Sequence, residues 1–158
     1  MVETKISYGI LLHSLRKYIE DTTGLPTVWR YVGFKPPSTP NFMTIQFVNS
    51  AFNTRTKLKE LVDERIFFHI STAATDVVTL DKQQSALTEI LMYHKIPLLD
   101  YEGNQHGIFS VTDITAINQI DYGTQVEQET ERLRSYTDFY VDVNHIKNAN
   151  KINEKGTK

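Results

Sequence analysis

Apolar residues recur three and four apart from Tyr8 to Thr22 (Tyr8, Leu11, Leu12, Leu15, Tyr18, Ile19, Thr22), the stripe of an amphipathic helix that Gly24 and Pro26 close. The opposite face is not simply polar, because Ile6, Ile10, His13 and Lys17 also line up at helical spacing. Two isoleucines on a solvated face are ordinary; they equally suit a second contact surface for a neighbouring subunit. T-V-W-R-Y-V (27–32) has the β-branched and aromatic content of a short strand. Pro36, Pro37 and Pro40 then impose a stiff loop. F-M-T-I-Q-F-V-N (42–49) alternates as a strand, with Met43, Ile45 and Phe47 set against Thr44 and Gln46.

Residues 50–63 have no clear period. Phe52, Leu58, Leu61 and Val62 sit among charges, which suits either a short helix or an arm projecting between strands. R-I-F-F-H-I-S (65–71) is apolar on both parities and predicts a strand covered on both faces. A second helix is expected over 79–95, with Gln83, Leu87, Ile90, Leu91 and His94 on one stripe and Pro97 beyond its end. I-P-L-L-D-Y, E-G-N-Q-H-G and I-F-S-V-T-D-I-T-A-I read as strand, turn and strand, with Gly103, Asn104 and Gly107 supplying the positive-φ positions of the turn. A polar stretch, 119–131, leads to R-S-Y-T-D-F-Y-V-D-V-N-H (134–145). That last run alternates. Phe139, Val141 and Val143 form an apolar face, and Asp138, Tyr140 and Asp142 an acidic, aromatic one. This order predicts an α+β domain over 1–146, a mainly antiparallel sheet flanked by two helices on one side.

The candidate chemistry is thin. Asp138 and Asp142 stand about 13 Å apart on a strand at ~3.3 Å per residue, whereas glycosidase carboxylates lie roughly 5–9.5 Å apart. Each would need a cross-strand partner, and Asp100 and Asp113 are available. The five histidines (His13, His69, His94, His106, His145) form no H-x-x-x-H or H-E-x-x-H pair, so no metal site is expected. His94 and His69 read as hydrogen-bonded, partly buried residues. There is no nucleophile elbow, no phosphate loop and no cysteine, and no cofactor is expected. Trp29 and Tyr31 share a strand face, but without a basic groove they read as packing or interface residues rather than a base-stacking platform.

Charge and composition refine this reading. Hydrophobic residues make up 40% and charged residues 23% of the 158, which is ordinary globular composition and enough for a core. The net charge of −2 hides an asymmetry: the last twelve residues carry +3 and the remainder −5. Residues 147–158 are therefore expected to be a basic, flexible tail. A mildly acidic body is a poor phosphate binder. The N-terminus has neither the composition of a leader nor a membrane span, so a soluble protein without membrane partners is expected.

Taken together, the layout resembles the tail terminator, or tail completion, proteins of long-tailed bacteriophages. The matching pieces are the N-terminal helix leading into G-L-P-T-V-W-R-Y, then P-N-F-M-T-I-Q-F after the proline loop, T-L-D-K-Q-Q-S-A-L-T-E-I-L, I-P-L-L-D-Y and R-S-Y-T-D-F-Y-V-D-V, covering about 5–145. The resemblance implies a non-enzymatic virion protein assembled in the host cytoplasm. It would form a hexameric ring on the head-proximal end of the tail tube. It would contact the major tail tube protein and a head-completion or neck protein, and DNA would pass through the lumen without sequence-specific binding. A closed ring needs two different contact patches per subunit. Ile6 and Ile10 on the helix, and Phe52, Leu58 and Leu61 in the 50–63 segment, are the candidates. Asp138, Tyr140 and Asp142 are candidates to face a neighbour or the channel. A head-completion or neck adaptor is the nearest alternative, and a small enzyme using Asp138 or Asp142 the remote one.

Overall fold

The computed structural model describes residues 6–31, 33–57, 61–121 and 133–146. Their order is α1 (Tyr8–Thr23), β1 (Thr27–Trp29), β2 (Phe42–Thr54), β3 (Leu61–Ala74), α2 (Val77–Tyr93), β4 (Ile96–Leu99), β5 (Gln105–Phe109), β6 (Thr112–Asp121) and β7 (Leu133–Ile146). Five strands form one sheet in the order β1-β2-β3-β7-β6, antiparallel except for β1, which runs parallel to β2. β4 and β5 make a separate small hairpin sheet. Both helices pack on one face of the large sheet, so the fold is the expected α+β arrangement.

α1 begins where the Ser7 side chain accepts the Ile10 N–H, and ends where Gly24 turns left-handed (φ 75°) and its N–H reaches the Glu20 carbonyl. The helix is buried over a wider arc than its apolar stripe implies. Gly9, Ile10 and Ser14 are enclosed along with Leu11, Leu12, Leu15 and Ile19. The cause is β4, which lies along the second side of α1. Ser14 Oγ accepts the Leu99 N–H at 2.8 Å and donates to the Ile10 carbonyl at 2.8 Å. Ile10, one turn before Ser14, is thus a core residue with 7% exposure and is not available to a neighbouring subunit. Ile6 packs partly buried against the same core.

α2 starts two residues earlier than the spacing predicts, because the Asp76 side chain caps it by accepting the Thr79 N–H at 2.8 Å. Leu80, Gln83, Leu87, Ile90 and Leu91 are its buried side. Gln84 reaches down to the sheet, pairing with Thr137 and accepting from Ser135 Oγ at 2.9 Å.

Of the two alternatives for residues 50–63, the structure takes the arm: β2 and β3 continue as a hairpin from Ser50↔Ile66 to Thr54↔Val62; Leu58 lies outside the described residues. The strand expected over 108–117 is broken. β5 pairs with β4, but β6 leaves that hairpin and pairs with β7 in the large sheet. The register shift between Thr112 and Thr115 holds Asp113 at φ 51°, a left-handed conformation that aspartate tolerates better than most residues. Of the polar link at 119–131, residues 122–131 lie outside the described residues, as does the tail 147–158.

The core is layered on aromatic contacts. Phe68 stacks on Phe139 at 5.6 Å between ring centroids, and Phe47 meets Phe68 edge-on at 6.4 Å. Around them lie Leu15, Ile19, Ile45, Ile66, Ile70, Leu87 and Val141. The other face of the sheet is itself closed at one end. There Phe42, Thr44, Ser71 and Arg134 are all buried, with Arg134 Nη1 donating to Ser71 Oγ at 2.9 Å and its guanidinium 5.4 Å from the centre of the Phe42 ring. Removing the Phe139 ring leaves a cavity the sheet cannot collapse into. Phe139→Ala should lower the urea-unfolding free energy by about 3–5 kcal/mol, while Ile108→Ala, at a residue 56% exposed, should change it by no more than about 0.5 kcal/mol.

Candidate functional site

The register of β3 against β7 places Arg65 opposite Asp142, Phe67 opposite Tyr140, His69 opposite Asp138 and Ser71 opposite Tyr136, all on the sheet face away from the helices. These facing pairs complete the acidic, aromatic row read on β7. His69 Nδ1 lies 2.5 Å from Asp138 Oδ1, and the His69 ring stacks on Tyr136 at 5.3 Å. Tyr140 meets Phe67 edge-on at 4.9 Å and carries the Arg65 guanidinium 4.1 Å from its ring centre. Arg65 Nε stands 3.5 Å from Asp142 Oδ1, and the same guanidinium pairs with Asp113 across from β6. Thr112 Oγ1 adds a 3.3 Å contact to Asp142.

The row is therefore not a bare acidic strip. Each of its carboxylates has a partner in the same subunit, and one arginine serves two of them. Asp113 does come to Asp142, but a guanidinium joins them, leaving no open space between them for a substrate. Asp100 is elsewhere, in the β4–β5 turn. The Asp138–His69 pair lies on an open sheet face. A carboxylate–imidazole pair of that kind needs a nucleophile and a cleft before it can catalyse acyl transfer, and the hollows described below are lined by other residues.

Four of the five histidines are joined to acids or hydroxyls, not to one another, and His13 meets the Tyr101 ring at 5.6 Å between centroids. His145 Nε2 lies 2.9 Å from Glu64, His106 Nε2 2.8 Å from Asp100, and His94 Nδ1 2.7 Å from the Tyr18 hydroxyl. Among the described residues no group of three or more histidines and acids could hold a metal ion. No helix among them is long and apolar enough to cross a membrane.

Two hollows open on the helix side of β2. The smaller, about 390 Å³, is lined by Ile6, Ser7, Tyr8, Phe52, Val62, Glu64 and His145. The fold thus gathers Ile6 and Phe52 into one patch, where a ring contact was expected to need them as two. Phe52 stands 65% exposed there, and Leu61 is half-buried at the start of β3. The larger hollow, about 850 Å³, is lined mainly by Tyr8, Trp29, Arg30, Tyr31, Phe34 and Phe47. Tyr8 stacks on Phe47 at 4.0 Å and meets Trp29 edge-on. Trp29 packs against the core, whereas Tyr31 is 63% exposed. The sequence signal for this site was the pair Trp29 and Tyr31. Phe47 and Tyr8 could be added only once β2 was known to lie beside β1.

No protein-family model matches the chain, and no curated protein matches it. Among solved structures it is similar to a chain of a virion of a native gene transfer agent particle, with a TM-score of 0.51 and 11% sequence identity, over 87% of this chain and 99% of that one. At that identity the likeness is one of fold.

The Asp100 turn supplies a pH test of the hairpin that covers α1. Asp100 is held at about 2, first by its hydrogen bond to His106 and then by the backbone N–H groups of Asn104 and Glu102. A carboxyl lowered in the folded state contributes stability above its unfolded value near 3.8, and that contribution is lost as pH falls toward 2. Asp100→Asn should lower the thermal midpoint at neutral pH and remove that part of the loss seen on acidifying from about 4 to about 2, as followed by circular dichroism melts.

Proposed function

We propose that this chain is a structural subunit of a phage-type virion. In this reading it forms a ring at the head-proximal end of a tail tube, stops tube growth there and presents the surface met by the head or neck. The observation that carries the proposal is the correspondence of fold over nearly the whole length of a chain from a gene transfer agent virion. Supporting it are the exposed apolar residues gathered on one flank, Tyr8, Tyr31, Val48 and Phe52. Patches of this kind on a small domain mark surfaces that meet other proteins.

In the ring, the Ile6–Phe52–Val62 patch meets a neighbouring copy, with Leu61 at the start of β3 on the same arm. The face of Asp138, Tyr140 and Asp142 turns toward the channel or the next subunit. His69 and Arg65 are already paired with its carboxylates, so it offers no surplus positive charge to passing DNA phosphates. Copies of this chain, the tail tube protein and a head-completion or neck protein are the partners, and DNA passes without sequence-specific binding.

Cryo-electron microscopy of assembled particles should place the density of this chain on the end of the tail tube. Density against the portal would instead assign it to a neck adaptor. Phe52→Asp, at an exposed position, should leave the monomer's melting curve unchanged while abolishing rings seen by native mass spectrometry or on tails; rings that persist would remove the arm from the interface. Asp138→Asn combined with Asp142→Asn tests the second face. Infectious titre should fall at unchanged particle number, and an unchanged titre would leave that face as solvated sheet.

A further inference from the structure

β2 is longer than its partner on one side. Main-chain bonds from Met43 N to Pro26 O (2.9 Å) and from Arg30 N to Ile45 O (2.8 Å) attach β1 to its first residues. The β1–β2 register ends at Trp29↔Ile45, yet β2 runs on to Thr54. On its other side β2 is paired with β3 from Phe42 to Thr54 apart from a bulge between Phe47 and Asn49, and Arg55 N still donates to Leu61 O at 2.9 Å. Alternation back from Arg55 aims the main chain of Asn53, Ala51 and Asn49 at β3, so the N–H and C=O groups of Ser50, Phe52 and Thr54 point away from it. Among the described residues no strand pairs with this stretch of β2, and an edge of this kind is a template for a further strand.

The aromatic hollow lies where β1 leaves that edge. Trp29, Arg30, Tyr31 and Phe34 form one wall, and Gln46 and Phe47 of β2 the other. Three cations surround it. Arg30 lies with its guanidinium 5.4 Å from the Phe34 ring centre, and Arg16 and Lys35 line the adjoining hollow with Val28, Trp29, Tyr31 and Phe34. None of the three is in an ion pair with a described residue. Two other exposed arginines among the described residues are matched: Arg65 has two aspartates and Arg55 has Asp63. The unpaired cations beside an open main-chain edge set the chemistry of the occupant. The edge calls for extended polypeptide, the hollow for apolar side chains at alternate positions, and the rim for carboxylates.

We propose that the edge of β2 from Phe47 to Thr54 is a docking site for an extended, acidic segment of a partner protein, added as a strand in line with β1. The Phe52 side chain points to the helix side and remains for the neighbouring copy; the added strand uses the main chain. The inference goes beyond the ring reading and does not depend on it.

Trp29 is the chain's only tryptophan, so occupancy is read from intrinsic fluorescence. The probe is a synthetic peptide of alternating valine and threonine ending in glutamates, with a lysine-ended peptide as counterpart. The glutamate peptide should give a saturable change, and the lysine peptide should bind about tenfold or more weakly at low salt. Ser50→Pro removes an edge N–H without touching the β3 pairing and should abolish binding while the melting curve is kept. If that variant unfolds, Arg30→Glu with Lys35→Glu, both on the rim, should reverse the preference between the peptides. Absence of saturable binding, equal binding of both peptides, or binding unaffected by these variants would overturn the proposal. So would saturation by oligothymidylate instead of peptide, which would indicate base stacking. Concentration-dependent protection of the Ser50 and Phe52 amides from hydrogen exchange without peptide would overturn it in favour of a second copy.

Discussion

β3 is hydrogen-bonded to β2 on one side and to β7 on the other, and over its fourteen residues each step of that register decides two faces at once. Phe68 must fall opposite Phe47 and Phe139 for the aromatic layer beneath the helices to close. When it does, His69 necessarily faces Asp138 and Arg65 faces Asp142 on the other side. A slip of one residue would turn the phenylalanines out and bring the charged row into the core. The burial of the apolar face thus holds the polar face in register, and the ion pairs are a consequence of the packing rather than its cause. Exposed pairs of this type contribute at most about 1 kcal/mol each.

The two faces and the flank divide the surface by chemistry. The outer row is polar and internally satisfied, which suits a surface that must be approached without adhesion. The β2 flank is the reverse, with an open main-chain edge, aromatic side chains and unmatched cations together. Its existence depends on the brevity of β1, only three residues from Thr27 to Trp29, and on the proline-rich loop that follows and cannot continue the pairing. The small β4–β5 hairpin has a different task. It covers the second side of α1 through Ser14 and Leu99, and its turn is held by Asp100 and His106.

Much of the element list was legible from spacing alone. α1, α2, β2 and β7 bury most of the apolar stripe read in the sequence, and Phe139, Val141 and Val143 are enclosed while Asp142 stays exposed; β3, expected to be covered on both faces, buries Ile66, Phe68 and Ile70 but leaves Arg65 exposed and Phe67 and His69 half-buried, because both helices lie on one side of the sheet. The misses share a cause. Ile10 was read as surface because helical spacing shows how many apolar faces a helix has, not which neighbours cover them. The run 108–117 was read as one strand because its β propensity is continuous, whereas the bend at Asp113 depends on two different sheets competing for it. The aperiodic 50–63 segment left helix and arm equally open, and only the continued pairing with β3 chose the arm.

What the sequence by itself determined, then, is local. Periodicity and turn residues specify which segments are helices and strands and which side of each is apolar, because those preferences act within a few residues. The sequence also limited the chemistry, since five dispersed histidines and carboxylates four residues apart on a strand leave no ready-made site. The tertiary structure alone decided the pairings: Asp138 with His69, Asp142 and Asp113 with Arg65, Ile6 with Phe52, and the edge of β2 beside Trp29 that no other described strand covers. Each joins residues far apart in the chain, and their contact follows from strand order and register, which are set by the packing of the whole core and not by any one segment.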